Sequence, residues 1–143
     1  MDDYQPGVCN INQDGVEYRQ KIAYVAGVVG ALLLFTPVYF GVGGLFGSVL
    51  GVFVMYVGVL NYLQARNSFC VNHGTSGTQQ AKAGTTQAEE VTDDISLEKD
   101  KARSKSIIKQ AIWVTLLISV LILAVALTII AFTAEIAFEA TVY

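Results

Sequence analysis

Apolar residues in this chain are gathered into long blocks, without the alternation at helical or strand period that a soluble fold shows. Residues Ile22 to Phe40 form nineteen consecutive positions without a formal charge. After Gly41-Val42-Gly43-Gly44 a second apolar run continues to about Leu63, and a third extends from Ile107 to about Ala134. About twenty apolar residues at 1.5 Å each span a hydrocarbon core of roughly 30 Å, so each block is long enough to cross a bilayer. The pattern predicts an all-α integral membrane protein with three transmembrane helices. The four-residue connection makes the first two a tight helical hairpin. Pro37 lies near the end of the first run, where a proline ends or kinks a helix and does not break its middle.

Polar residues fill the remainder. Residues 1–21 form an N-terminal segment, 22–63 the hairpin, 64–106 a polar loop and helix start, 107–134 the third span, and 135–143 a tail. The stretch 71–96 is rich in Gly, Thr and Gln and almost without apolar residues, which predicts a flexible loop that cannot bury enough surface to offset its ordering entropy. From about Asp94 the character changes. Asp93 or Asp94 can cap a helix, and Glu98 with Lys101 and Asp100 with Arg103 stand at i,i+3 spacing on its surface. This helix is expected to run without interruption into the third span, extending it into the cytoplasm.

Charge sets the orientation. Lys and Arg total nine, and all of them lie in the N-terminal segment or in 64–109: Arg19, Lys21, Arg66, Lys82, Lys99, Lys101, Arg103, Lys105 and Lys109. The 41–44 connection and the tail after Ala134 hold none. By the positive-inside rule the N-terminus and polar loop are cytoplasmic and Tyr143 is outside, in a multi-pass protein of the cell membrane. Acidic residues outnumber basic ones ahead of the first span and the run is long, so a cleaved signal peptide is not expected. The charged share of the whole chain is 15%, against about 25% for an average soluble domain. The net charge of −3 and the lack of a basic patch argue against nucleic acid as a partner. The bilayer is the expected partner, with a larger membrane complex or a second copy as further possibilities.

Gly43, Gly47 and Gly51 form a continuous G-x-x-x-G-x-x-x-G. In lipid, close backbone approach and dispersion drive helix association, and small residues four apart permit it. Gly27, with Ala23 and Ala31, offers a matching face on the first helix, as do Ala26 and Gly30. The seam either packs the hairpin within one chain or joins copies of the chain. The apolar runs contain no Asp, Glu, Lys, Arg or His between Ile22 and Leu63 or between Gln110 and Ala134, which argues against an ion-coupled transporter. Hydroxyls such as Ser48, Thr115, Ser119 and Thr128 are expected to bond back to their own helices.

Cys9 precedes the hairpin and Cys70 follows it, so a hairpin brings the two segments to one membrane face. The thiols are incidental, or a disulfide or redox pair, or part of a metal site with His73, which follows Cys70 as C-x-x-H. A tetrahedral zinc site needs about four ligands, and only Cys9, Cys70 and His73 are natural candidates. No catalytic residue and no cofactor are expected, since nothing in the sequence orients His73 as a base for either thiol.

Pro6-Gly7-Val8-Cys9-Asn10-Ile11, together with Leu63-Gln64-Ala65-Arg66 and Phe69-Cys70, resembles a group of small prokaryotic three-span membrane proteins with a P-G-V-C-N-I opening and an L-Q-A…F-C segment after the second span. Asn12 stands where that pattern has glycine, and the loop 71–98 is longer and more polar. The resemblance implies the three-span layout and draws attention to the two cysteine segments; it carries no activity with it. The function expected is that of a non-enzymatic accessory subunit or self-associating unit. The alternative is a cytoplasm-facing thiol redox or metal-responsive protein using Cys9 and Cys70.

Overall fold

The computed structural model describes residues 4–41, 44–80 and 88–142. Gly43 of the expected seam, Lys82 of the loop and Tyr143 lie outside the described residues. Three helices dominate: α1 (Gln13–Phe40), α2 (Gly44–Arg66) and α4 (Asp94–Val142), with a short α3 (Val71–Ser76) between the second and third. All three long helices are long and apolar enough to cross a membrane. Their apolar side chains face outward in number, among them Phe53, Leu117, Leu121 and Phe132. A contiguous apolar surface of that extent suits lipid as solvent.

Helix α1 starts earlier than the apolar run because Asn12 caps it. The Asn12 Oδ1 accepts from Gly15 N at 2.9 Å, and Asp14 sits in the first turn, where the helix dipole favours an acid. Pro37 does not end α1. The helix continues to Phe40 and closes on Gly41, which adopts the left-handed conformation at φ 67°.

Helices α1 and α2 approach each other through glycine. A methyl group at Gly51 would lie 2.8 Å from Leu34 N, one at Gly30 would lie 2.7 Å from Met55 N, and one at Gly58 would lie 2.8 Å from Gly27 N. At Gly47 the obstruction is the Pro37 ring, whose Cγ would be 2.8 Å away. Partner numbers fall along α2 as they rise along α1, so the helices run antiparallel. The bare backbone of Gly47, Gly51 and Gly58 is thus covered by α1 of the same chain. Gly58 was not part of the expected seam; it stands seven residues beyond Gly51, two turns along the same face.

Helix α4 is one continuous helix of 49 residues, about 70 Å at 1.5 Å per residue and more than twice the hydrocarbon thickness. Asp93 provides its cap: Ser96 N donates to Asp93 Oδ2 at 2.9 Å and Ser96 Oγ to the same oxygen at 2.6 Å. These hydrogen bonds hold the Asp93 carboxyl below its ordinary pKa. Deeper in the chain, Ala111 packs with Leu34, Met55 and Val59 in a core shared by all three long helices.

The polar region carries more structure than its composition predicts. Besides α3, strands β1 (Thr78–Gln79) and β2 (Glu89–Glu90) pair antiparallel, Thr78 opposite Glu90. Ile11 bridges in parallel to Gln80, tying the N-terminal segment to the same small assembly. A composition poor in apolar residues is offset here by backbone pairing and by caps at both ends of α3.

Candidate functional site at the polar end of the helices

Residues 4–12, 67–80 and the first turns of α4 form a cap over the polar ends of α1 and α2. Its first element is a tight turn. Val8 N donates to Gln5 O at 3.0 Å across Pro6 and Gly7, and Gly7 has φ 74°. Pro followed by a positive-φ glycine is the type II arrangement, which leaves the Gly7 N–H free to bond elsewhere. It donates to Asp100 Oδ1 at 2.6 Å, while Tyr4 Oη donates to Asp100 Oδ2 at 2.9 Å. Asp100 is fully buried. Burial, with the Asp100 hydrogen bond adding to it, holds the Tyr4 phenol well above its ordinary pKa.

Asp100 was expected on the helix surface beside Arg103. Each has a partner elsewhere in the fold: Arg103 Nη2 donates to Asn67 Oδ1 at 2.7 Å. One helical residue thereby ties α4 to the N-terminal turn, and the other ties it to the end of α2.

The two cysteine segments do meet, and the residue that joins them is Asn10. Its Nδ2 donates to Cys70 O at 3.0 Å, and Cys70 N donates to its Oδ1 at 2.6 Å. The Asn10 backbone is equally occupied, with Asn10 N donating to Ser68 O at 3.2 Å and Gln80 N donating to Asn10 O at 2.8 Å. Gln64 adds to this joint, its Oε1 accepting from Val71 N at 3.0 Å. Asn10, Asn12 and Gln64 are all buried, and satisfied amides of this kind fix one geometry, because leaving them unpaired is expensive.

Both thiols are free. The Cys9 Sγ donates to Ile11 O at 3.4 Å. The Cys70 Sγ is buried and accepts from His73 N at 3.5 Å, as the N-cap of α3. The C-x-x-H spacing is therefore a capping spacing, since an N-cap side chain reaches the backbone N–H three residues on. His73 turns its Nδ1 to Thr78 Oγ1 at 2.8 Å. Burial and the nearby Arg19 charge hold its pKa below the ordinary value, so the ring is neutral at neutral pH. In this structure each thiol is engaged in a local hydrogen bond, Cys9 with Ile11 O and Cys70 with His73 N. Among the described residues no group of three His, Cys, Asp or Glu side chains is placed to hold a metal ion.

Helix α3 meets α4 at Gly74. A methyl group there would collide with Ser104 Oγ and with the Phe69 ring, and Ser104 Oγ donates to Val71 O at 3.3 Å. Phe69, Val71 and Ile107 close a small apolar cluster beneath this contact.

Within the apolar helices, Thr36, Ser48 and Thr128 bond to carbonyls four residues back. Thr115 and Ser119 depart from that expectation. They stand one turn apart on the buried face of α4, and their hydroxyls find no hydrogen-bond partner among the described residues.

Sequence reasoning went to the sulfur atoms and did not anticipate that Asn10 joins the two cysteine segments or that Asp100 holds the N-terminal turn. The available signals were an asparagine directly after Cys9 and an acid near the start of a helix otherwise followed by bases. Compared with family models, curated proteins and solved structures, the chain matches none.

Proposed function

We propose that this chain is a non-enzymatic small integral membrane protein, an accessory subunit of a larger membrane complex or a unit that assembles with itself. Its polar cap and N-terminus lie in the cytoplasm and its C-terminus outside. The observation that carries the reading is the way α4 sits against the hairpin. It leaves two open apolar grooves along its length. One, of about 490 Å³, lies against α1 between Phe35 and Leu121. The other, of about 530 Å³, lies against α2 between Phe53 and Leu116. The Gly30, Gly47, Gly51 and Gly58 positions already join α1 to α2, and these two grooves give an added helix room to pack against α4.

The cap supports the same reading. Its thiols act as a helix cap and a local hydrogen-bond donor, and its buried amides and Asp100 hold segments of the chain together. Such groups position α4 relative to the hairpin, which is what a scaffold for a partner helix requires.

Crosslinking in the source membrane followed by purification under mild detergent tests the proposal. A reproducible crosslink through α4, to another membrane protein or to a second copy, is the expected result. Recovery of an uncrosslinked monomer under conditions that trap known neighbours in that membrane would overturn it.

A further inference from the structure

At the polar end of the hairpin a cleft opens between α1 and α2. Its mouth, about 240 Å³, is lined by Gln20, Tyr24, Tyr62 and Arg66 over a floor of Ala23 and Ala65. The mouth offers a guanidinium, two phenol hydroxyls and an amide, all able to donate hydrogen bonds. Guanidinium pairs with phosphate oxygens through parallel N–H bonds, and tyrosines at this depth sit where apolar tails meet headgroups.

The mouth continues inward. Ala23, Tyr24 and Tyr62 also line a second cleft, again about 240 Å³, that reaches past Gly27 and Gly58 to Val114 and Ile118 of α4. Its walls are apolar. Gly27 supplies the opening on the α1 side, since a methyl group there meets nothing within 4 Å. Gln20 to Gly27 covers seven residues, so the two clefts together run about 10 Å along the helices. A donor-rich mouth joined to an apolar crevice has the two-part chemistry of a phospholipid.

We propose that this cleft binds one anionic phospholipid, with its phosphate on Arg66 and one acyl chain in the crevice beside Gly27. The inference rests on the membrane-spanning reading of α1 and α2 and is independent of any protein partner. Arg66 is the one formally charged residue lining the mouth, and it is cationic, which favours a headgroup of net negative charge over a zwitterionic one.

The test uses the full chain in detergent and native mass spectrometry with dioleoylphosphatidylglycerol, dioleoylphosphatidylcholine or inorganic phosphate. The expected result is one retained phosphatidylglycerol, preferred over phosphatidylcholine by about tenfold. Arg66→Gln removes that preference. Gly27→Leu, which fills the crevice from α1, lowers retention of the lipid with Arg66 intact, and Val114→Phe does so from the α4 wall. Lys101→Gln, in the cap and away from the cleft, leaves retention unchanged. Unaltered helical circular dichroism certifies each variant as folded, and two crevice variants guard against one failing to fold. Wild-type lipid retention by folded Arg66→Gln, or by both folded crevice variants, would overturn the proposal. So would equal retention of the two lipids, or displacement of phosphatidylglycerol by an equal concentration of inorganic phosphate. Because the assay uses the isolated chain, its failure leaves the accessory-subunit crosslinks untouched, and the reverse holds as well.

Discussion

The side-chain amide of Asn10 occupies both backbone groups of Cys70, accepting from its N–H at 2.6 Å and donating to its carbonyl at 3.0 Å. The contact is buried and joins residues sixty positions apart, one before α1 and one after α2. Asn10→Ala would leave the Cys70 N–H unpaired in the cap, while the Cys70 carbonyl keeps its bond from Gly74 N at 3.0 Å. At roughly 1–3 kcal/mol for an unsatisfied buried group, the expected loss is about 1–3 kcal/mol. A lower midpoint of thermal unfolding in detergent checks it. Cys9→Ser, one residue away, is expected to change the midpoint far less, since a hydroxyl can also donate to Ile11 O.

Asp100 performs the corresponding task on α4. Asp100→Ala leaves Gly7 N and Tyr4 Oη without their acceptor, with an expected loss of about 2 kcal/mol. The N-terminal turn would then release from α4, and limited proteolysis around residues 4–9 should become faster. Tyr4→Phe removes only one of the two donors and should have the smaller effect.

Two titrations bear on the cap in opposite directions. Because the fold raises the Tyr4 pKa, the unfolded chain loses that proton first, near its ordinary value of 10.0. The contribution of Tyr4 is full below that pH and falls as pH rises beyond it. Because the fold lowers the His73 pKa, the unfolded chain takes up that proton first, near 6.5. The contribution of His73 is therefore full above 6.5 and falls as pH drops below it. Unfolding midpoints measured across pH should lose the slope that sets in just below pH 6.5 in His73→Gln and the slope that sets in above pH 10.0 in Tyr4→Phe.

The glycine contacts give an internal contrast. Gly51→Ala and Gly58→Ala each push a methyl group into the backbone of α1 at under 3 Å, and overpacking of this kind costs about 1–3 kcal/mol. Gly27→Ala meets open space and is expected to be neutral or slightly stabilising, because alanine also lowers the entropy of the unfolded chain. Unfolding midpoints of the three variants, measured together, check the ranking.

The three long helices were readable because lipid-facing residues must be apolar over a length set by the bilayer, and no competing interaction blurs that signal. Gly47 and Gly51 were readable because their four-residue spacing is itself a packing surface. Gly58 was hidden by the two-turn gap that separates it from Gly51, with Met55 filling the place between them. Helix α3 was hidden because Asn72, His73, Gly74, Thr75 and Ser76 are poor helix formers. Its order comes from Cys70 and Gly77 at its ends and from α4 beside it, all of which depend on tertiary contact. The part played by Asn10 and Asp100 was hidden for a related reason. Cysteine and histidine attract attention for their chemistry, whereas Asn10 acts only because folding carries it to Cys70. Asp100 looked like half of a surface ion pair until the Pro6-Gly7 turn was seen to aim an N–H at it.

The central claim is a three-span protein whose cap lies on the cytoplasmic side. Its most direct test is labelling of single cysteines by a membrane-impermeant maleimide in sealed cells. In a Cys9→Ser, Cys70→Ser background, Glu98→Cys marks the exposed start of α4 and Glu135→Cys its far end. The account predicts that Glu135→Cys labels in intact cells and that Glu98→Cys labels only after permeabilisation. Labelling of Glu98→Cys from outside, or of both positions from the same side, would contradict it.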